Sequence, residues 1–224
     1  MTPLRWRTKF VSAKCDIALA LSNGAAGAAY GEAAILISSL LTALSSELWP
    51  GRNQDRVRFI ELLVRVSPST PKLTTVSTPL LIQHLLGSNH LAEADQLQVK
   101  LLSCDSSLII TGTEVDRSED DILAISPSIP RDIVRRFSYA CLLYDELRSS
   151  YAHEYRPGDK AESWPTTMRL NQDISYVNKN SQRTIHFHIG YLARIAIETV
   201  QRMDSGSIST PMPTPAIWWS KEFP

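Results

Sequence analysis

Apolar residues recur at every third or fourth position over much of the chain, which is the spacing of a helix that buries one face. The first such stretch, residues 14–48, predicts one long helix or a broken pair that ends at Trp49-Pro50-Gly51. Glycines fall near one face of it and reduce helix propensity, so close packing of another helix is the expected compensation. These glycines are Gly24, Gly27 and Gly31.

Shorter helices are predicted over 54–66 after an Asn53 cap, between Pro79 and Gly87, over 91–103 and over 189–203.

The longest helical pattern begins after Ser128, a suitable cap, with Pro130 in its first turn. Proline is tolerated there because the first N–H groups of a helix have no partner within it. Apolar or aromatic residues then repeat at helical spacing: Ile133, Phe137, Cys141, Tyr144, Tyr151 and Tyr155. Pro157-Gly158 marks the end. We therefore expect one continuous helix over residues 130–155.

Two regions have the short apolar runs of β-strands. Leu108–Thr111 predicts one short strand. Leu170–Val177 and Thr184–His188 predict a hairpin, joined by a polar turn at 178–181. The acidic run Glu114–Asp121 is interpreted as a solvated loop.

The charges of the chain balance, with 23 basic and 23 acidic residues in 224. A general nucleic-acid binder usually has a basic surplus, because phosphate contacts supply its affinity. The balance argues against tight nonspecific binding and leaves room for a local basic cleft. Its candidate residues are Arg131, Arg135, Arg136, Arg148 and Arg156.

No apolar run reaches the length of a membrane span, because Glu32 interrupts the best candidate. The apolar run Ile17–Leu21 is too short for a secretory signal. Cys15, Cys104 and Cys141 are widely spaced and form no metal or redox motif. We expect a soluble cytoplasmic protein with no membrane partner and no bound metal or cofactor.

The stretch Leu147-Arg-Ser-Ser-Tyr-Ala-His-Glu-Tyr155 offers the clearest candidate chemistry. Histidine both gives and takes a proton near neutral pH, and arginine is a permanent cation that matches phosphate oxygens. Arg148 falls on the predicted apolar stripe, where a charge is costly unless it meets an anion or a polar cleft. Together, Arg148 and His153 could cleave RNA without a metal.

The spacing of Arg148 and His153 could also arise by chance, or because each residue has a purely structural role. The chain holds a second Arg-to-His spacing, Arg183 to His188. The pattern of this segment predicts a strand, in which positions five apart point to opposite faces, so these two side chains would not meet. An arginine near a helix end often caps carbonyls or pairs with a neighbour such as Asp145, and a lone histidine is often a surface residue. Spacing alone leaves these alternatives open.

The segment Tyr144–Tyr155 resembles the active helix of the HEPN superfamily (higher eukaryotes and prokaryotes nucleotide-binding domains), whose pattern is Arg, four to six residues, then His. Its Ala-His-Glu-Tyr end is similar to a plasmid- and defence-associated bacterial branch. Two further segments fit that branch, Gln54–Val64 and the pair Ile174–Asn178 with Ile185–Phe187. Members of the ribonuclease group usually carry Asn, Asp or His directly after the arginine, where this chain has Ser149.

The resemblance implies a mainly α fold: a HEPN-like four- or five-helix bundle over residues 1–203, with a small β-hairpin before the last helix. It implies a homodimer that pairs two motif helices, because each motif offers one imidazole. Arg148, His153 and Ser149 would be the catalytic residues of a metal-independent endoribonuclease of bacterial toxin or phage-defence type. The substrate contacts would be Tyr151, Tyr155 and Arg156.

An alternative from a different class is a non-catalytic HEPN module that binds a nucleotide or a partner such as an antitoxin or defence protein. Ser149 and the neutral net charge favour it. A third possibility is an all-α partner-binding protein whose motif is a coincidence.

His186 and His188 lie two apart on a predicted strand, a spacing that can bind a metal, but no third ligand is evident, so we expect both to be structural. The Ser/Thr/Pro-rich tail 204–224 carries Trp218-Trp219, which we expect to dock on the domain or on a partner.

Overall fold

The computed structural model describes residues 4–51, 54–101, 109–163, 172–179, 182–206 and 208. The chain is mainly helical and carries one small antiparallel sheet. Its buried apolar side chains form one cluster that runs from Val11 to Met203. The expected cap Asn53, Cys104 and the Trp218-Trp219 tail lie outside the described residues.

Three long helices pack together at the centre of the protein: α1 (Leu4–Ser22), α2 (Tyr30–Leu48) and the last helix, α11 (Ile189–Asp204). Helix α2 buries residues at the predicted three- and four-residue spacing, among them Ile37, Leu41 and Leu44. Removal of this apolar area from water is the main force that holds the helices together. Asp204 also accepts hydrogen bonds from Thr8 N (3.2 Å) and Oγ1 (2.6 Å), so the last helix is tied to the first.

The first helical stretch is thus a broken pair, and its glycines do not share a helix face. Gly24 (φ 88°) and Gly27 (φ 73°) have left-handed backbone in the connection between α1 and α2, a conformation that glycine adopts without steric cost. Gly31 alone lies within α2, where the Tyr151 ring covers it. The predicted common glycine face is therefore wrong.

Helix α2 is the one helix in the described ranges that has the length and apolar composition to cross a membrane. Its apolar residues already form the centre of the core cluster. Its Glu32 side chain accepts a hydrogen bond from Ala29 N (2.8 Å) at the helix start.

Shorter helices follow as predicted: α3 (Asp55–Glu61), which continues as a π-helical turn Leu62–Val66, then α4 (Thr78–Gly87) and α5 (Leu91–Leu101). Gln54 takes the capping position where Asn53 was expected.

The sheet has three strands in the order β1 (Ile109–Thr111), β2 (Ile174–Lys179) and β3 (Gln182–Phe187). A hairpin is present as predicted, but Asn178 and Lys179 of the expected turn pair within it, and residues 170–171 of the expected first strand lie outside the described residues. Strand β1 pairs with the first strand of the hairpin, Ile110 opposite Tyr176. Helix α4 covers β3: Gln83 Nε2 donates to Arg183 O (3.0 Å) and Gln83 Oε1 accepts from Arg183 N (2.7 Å).

The acidic run is not a solvated loop. It forms α6 (Gly112–Val115) and α7 (Glu119–Ile125), with Asp116 buried between them. Asp116 accepts hydrogen bonds from Thr78 N (3.0 Å), from the Tyr176 hydroxyl (2.6 Å) and from the Tyr139 hydroxyl. The first N–H group of α4 and two tyrosine hydroxyls replace the hydrogen bonds that the Asp116 carboxyl would make to water.

The expected continuous helix over residues 130–155 is broken. It consists of α8 (Arg131–Arg136), α9 (Tyr139–Leu142), a π-helical segment Leu143–Ser149 and α10 (Ser150–Glu154). The break lies at Phe137 and Ser138, where the segment 73–77 takes the backbone hydrogen bonds: Ser77 N donates to Phe137 O (2.8 Å) and Tyr139 N to Thr75 O (2.9 Å). These bonds replace helical ones, so the apolar spacing continues while the helix does not.

Candidate active site

Arg148 lies in the π-helical segment Leu143–Ser149, the widest part of the broken helix. A π turn closes its backbone hydrogen bonds over five residues instead of four and occurs frequently at functional sites. Ser150 Oγ donates to Asp145 O (2.9 Å) and occupies one carbonyl of this wider turn. The sequence pattern placed Arg148 on a buried stripe, and its side chain is indeed only 19% exposed.

The Arg148 guanidinium lies over the Tyr144 ring, 5.3 Å from the ring centroid. Arg56 of α3 approaches the same ring at 6.0 Å, so cation–π attraction holds both cations at one aromatic residue. The carboxylate that faces Arg148 is Asp55, with Nη2 to Oδ2 at 3.7 Å. This distance exceeds a hydrogen bond, so Arg148 can still donate to an incoming anion.

The simpler explanation of the motif was an ion pair between Arg148 and Asp145, and the structure does not have this pair. It accepts two hydrogen bonds of 3.0 Å from Arg56, at Nε and Nη2. Such a two-point contact is strong and directional. The α3 segment, which the resemblance also singled out, thus packs beside the motif, and its Arg56 engages Asp145 in place of Arg148.

Arg148 also lines a pocket of ≈ 290 Å³ between α2 and the motif segment. The α2 side contributes three hydroxyls, those of Ser38, Ser39 and Thr42, and the motif side contributes Tyr151. Thr42 Oγ1 donates to Ser38 O (2.8 Å) within the helix. A cation beside several hydroxyls on an otherwise apolar wall is an arrangement that can hold a small anionic group.

His153 lies on α10, exposed to solvent. Within the described ranges, no hydrogen bond or ion pair involves its ring, so none joins it to Arg148. Ser149 lies next to Arg148 and is half-buried. One chain therefore presents a partly buried cation and, five residues later, an accessible imidazole.

The three predicted substrate contacts have different surroundings. Tyr151 is buried, packs on Tyr30 with ring centroids 6.4 Å apart, and has its pKa raised to about 12 by burial. Tyr155 is exposed and ends α10 in left-handed conformation (φ 56°), with its hydroxyl donating to Glu32 (3.2 Å). Arg156 is exposed and donates from Nε to Glu154 (2.9 Å). Tyr155 and Arg156 are thus accessible, whereas Tyr151 is a wall of the pocket.

The five arginines considered for a basic cleft each face a carboxylate and do not gather in one cleft. Arg131 and Arg135 both bind Glu119, the latter from a buried position through Nε (2.7 Å) and Nη2 (2.9 Å). Arg136 lines a different cleft with Arg56, His84 and Lys160. That set was missed from the sequence, because its members come from separate elements and share no motif.

His186 and His188 do not present a common ligand face. His186 is buried on β3, with its ring 5.0 Å from that of Tyr30 and Nδ1 3.1 Å from Glu162 O. Burial lowers the pKa of His186. His188 follows the strand and caps α11, accepting from Gly190 N (3.1 Å). In the part of the chain that the structure describes, no group of three potential ligands could hold a metal ion.

No protein-family model, curated protein or solved structure matches this chain. The resemblance to the HEPN superfamily therefore rests on the sequence segments quoted above.

Proposed function

We propose that this chain is a metal-independent endoribonuclease of bacterial toxin or phage-defence type, built on a HEPN-like helical bundle. The observation that supports it best is the position of Arg148. Its guanidinium lies at a hydroxyl-lined pocket with the facing carboxylate at 3.7 Å, and the accessible His153 follows five residues later. RNA transesterification can use a cation of this kind to stabilise charge and an imidazole of this kind to transfer a proton.

In the proposed reaction the RNA 2′-hydroxyl oxygen attacks the adjacent phosphorus, and the bond from phosphorus to the 5′ oxygen breaks. His153 takes the proton of the 2′-hydroxyl, and the partner subunit's His153, as imidazolium, gives a proton to the leaving 5′ oxygen. Arg148 stabilises the negative charge that builds on the phosphoryl oxygens. The products are a 2′,3′-cyclic phosphate and a 5′-hydroxyl.

The remaining motif residues have supporting roles in this proposal. Ser149 would orient the phosphate or the imidazole from its half-buried position beside Arg148. The exposed Tyr155 ring can stack on a base, and Arg156 adds a cation at the end of the same helix. Tyr151 would shape the pocket from its wall.

Cleavage of single-stranded RNA in the presence of EDTA tests the proposal. Wild-type protein should leave 2′,3′-cyclic phosphate ends. His153→Ala and Arg148→Ala should each lower the rate by at least about a hundredfold, the low end for an acid–base or charge-stabilising group. His90→Ala and Arg131→Ala are matched controls outside the motif and should cleave like wild type. Equal cleavage by wild type and both motif variants would overturn the assignment.

The second candidate is a non-catalytic HEPN module that binds a nucleotide or a partner in a toxin–antitoxin or defence complex. Ser149 favours it, as does the absence of a hydrogen bond between Arg148 and His153 within the described chain. RNA or nucleotide that copurifies with a protein unable to cleave RNA would support this candidate over the first.

A further inference from the structure

A second cleft, of ≈ 500 Å³, touches the same π-helical segment through Asp145 and Glu146. Its basic side chains come from four separate places in the chain: Arg56 of α3, His84 of α4, Arg136 of α8 and Lys160 of the loop after α10. Its volume falls in the range of sites that bind small molecules, roughly 300–1,000 Å³.

The two carboxylates of this cleft are already engaged. Asp145 binds Arg56 through both oxygens. Glu146 accepts from Lys160 Nζ (2.9 Å) and from Lys160 N (3.1 Å). Arg56, Arg136 and Lys160 thus line the cleft with two engaged carboxylates, and the acidic partner of Arg136, Asp132, is not among the lining residues.

Arg136 is the least constrained of the three cations. Its contact within the described residues is a long one to Asp132, Nη2 to Oδ2 at 3.4 Å, and its side chain is 48% exposed. An exposed pair of this kind contributes little, so Arg136 can turn toward a ligand at low cost.

The surroundings of His84 make its imidazole sensitive to the charges in the cleft. Its ring lies 5.1 Å from that of Phe137. Burial lowers the pKa of His84, and the charges of Arg136, Lys160 and His90 lower it further. The imidazole lines the same cleft as Arg136 of α8 and Lys160 of the loop, and a bound anion would reduce the repulsion among these groups.

We propose that this cleft binds a ligand that carries a phosphate monoester, with the phosphate held between Arg136, His84 and Lys160. A dianion offsets the repulsion among the cations and gives each of them a charge-assisted hydrogen bond. The aromatic rim of His84 and Phe137 and the remaining volume leave room for the organic part of the ligand. The inference is independent of RNA cleavage by Arg148 and His153.

Histidine NMR titration tests it on the whole protein without RNA. The probes are inorganic phosphate, adenosine 5′-monophosphate and adenosine, at constant ionic strength so that general screening does not change. His84→Gln identifies the His84 signal. Phosphate and adenosine monophosphate should shift that signal and raise the titration midpoint of the ring, while adenosine alone should not. An unchanged His84 signal with both phosphates, or an equal response to adenosine, would overturn the proposal.

Matched arginine variants of α8 add a second readout. Arg136→Gln should weaken adenosine monophosphate binding by about tenfold, the equivalent of one lost hydrogen bond to a charged group. Arg131→Gln, on the same helix but bound to Glu119, should bind like wild type. Equal affinities for the two variants, each shown to be folded by its thermal transition, would remove Arg136 from the site and contradict the inference.

Discussion

The Tyr151 ring lies directly on Gly31: a Cβ added to this glycine would come to 3.0 Å from ring carbon Cε1. Gly31→Ala should lower the free energy of unfolding by about 1 kcal/mol, because the overpacking cost of about 1–3 kcal/mol exceeds the gain in helix propensity. Urea denaturation measures it. Gly87→Ala, where nothing lies within 4 Å, is the control and should be neutral or stabilising.

Asp116 makes stability depend on pH. Burial raises the pKa of this carboxyl from 3.8 to about 7 in the folded protein. Folded protein thus holds the proton where unfolded protein has lost it. The stabilisation is complete below about pH 4 and is lost as pH rises through about 7.

Wild-type protein should therefore be less stable at pH 8 than at pH 5, with a contribution from Asp116 on the order of 2–4 kcal/mol. Asp116→Asn, which is neutral at both pH values, should lose most of this difference. Asp95→Asn, at an exposed position of α5, should keep it. The prediction would be contradicted if the free energy of unfolding of the wild type rose from pH 5 to pH 8 and that of Asp116→Asn rose by the same amount.

Two arginines that share Glu119 should differ in their effect on stability. Arg135 is 4% exposed, so Arg135→Ala leaves a carboxylate without its buried partner and should cost about 3 kcal/mol. Arg131→Ala removes an exposed cation from the same acid and should cost less than about 1 kcal/mol. Thermal or urea unfolding of the two variants measures the loss of free energy of unfolding. Similar losses would show that burial does not determine how much each arginine contributes to stability.

The proposed two-chain reaction requires a homodimer. Light scattering should report twice the 25.0 kDa chain mass at micromolar concentration. RNA cleavage per chain should then fall on dilution below the dissociation constant of the dimer. Full activity per chain in a preparation that is monomeric by light scattering would rule out a site shared between subunits.

The local pattern of the sequence was sufficient for the helical class, the hairpin and the last helix, because each is set by the spacing of apolar residues. It was not sufficient for the break at Phe137, since the segment 73–77 that takes over the backbone hydrogen bonds is distant in sequence. Asp116 was misread for the same reason. Its partners Tyr139 and Tyr176 lie on other elements, and an isolated acidic run is most simply solvated.

At the candidate site, the spacing placed Arg148 on the same stripe as Tyr144, and the Arg148 guanidinium does lie over the Tyr144 ring. The approach of Asp55 and the capture of Asp145 by Arg56 could not be predicted, because they depend on how α3 packs against the motif. The π turn was missed because apolar residues at helical spacing do not distinguish one turn width from another.

A π turn contains about one residue more than an α turn. The number of residues in the motif segment therefore sets the direction in which the following side chains point. If the segment Leu143–Ser149 returned to regular α geometry with all its residues, everything downstream would rotate by about 100° relative to α2 and α3. If it lost one residue before Arg148, the same return to α geometry would leave α10 and its His153 in their present phase. Sequence variants that lack one residue in this segment can therefore present the same site on a regular α-helix.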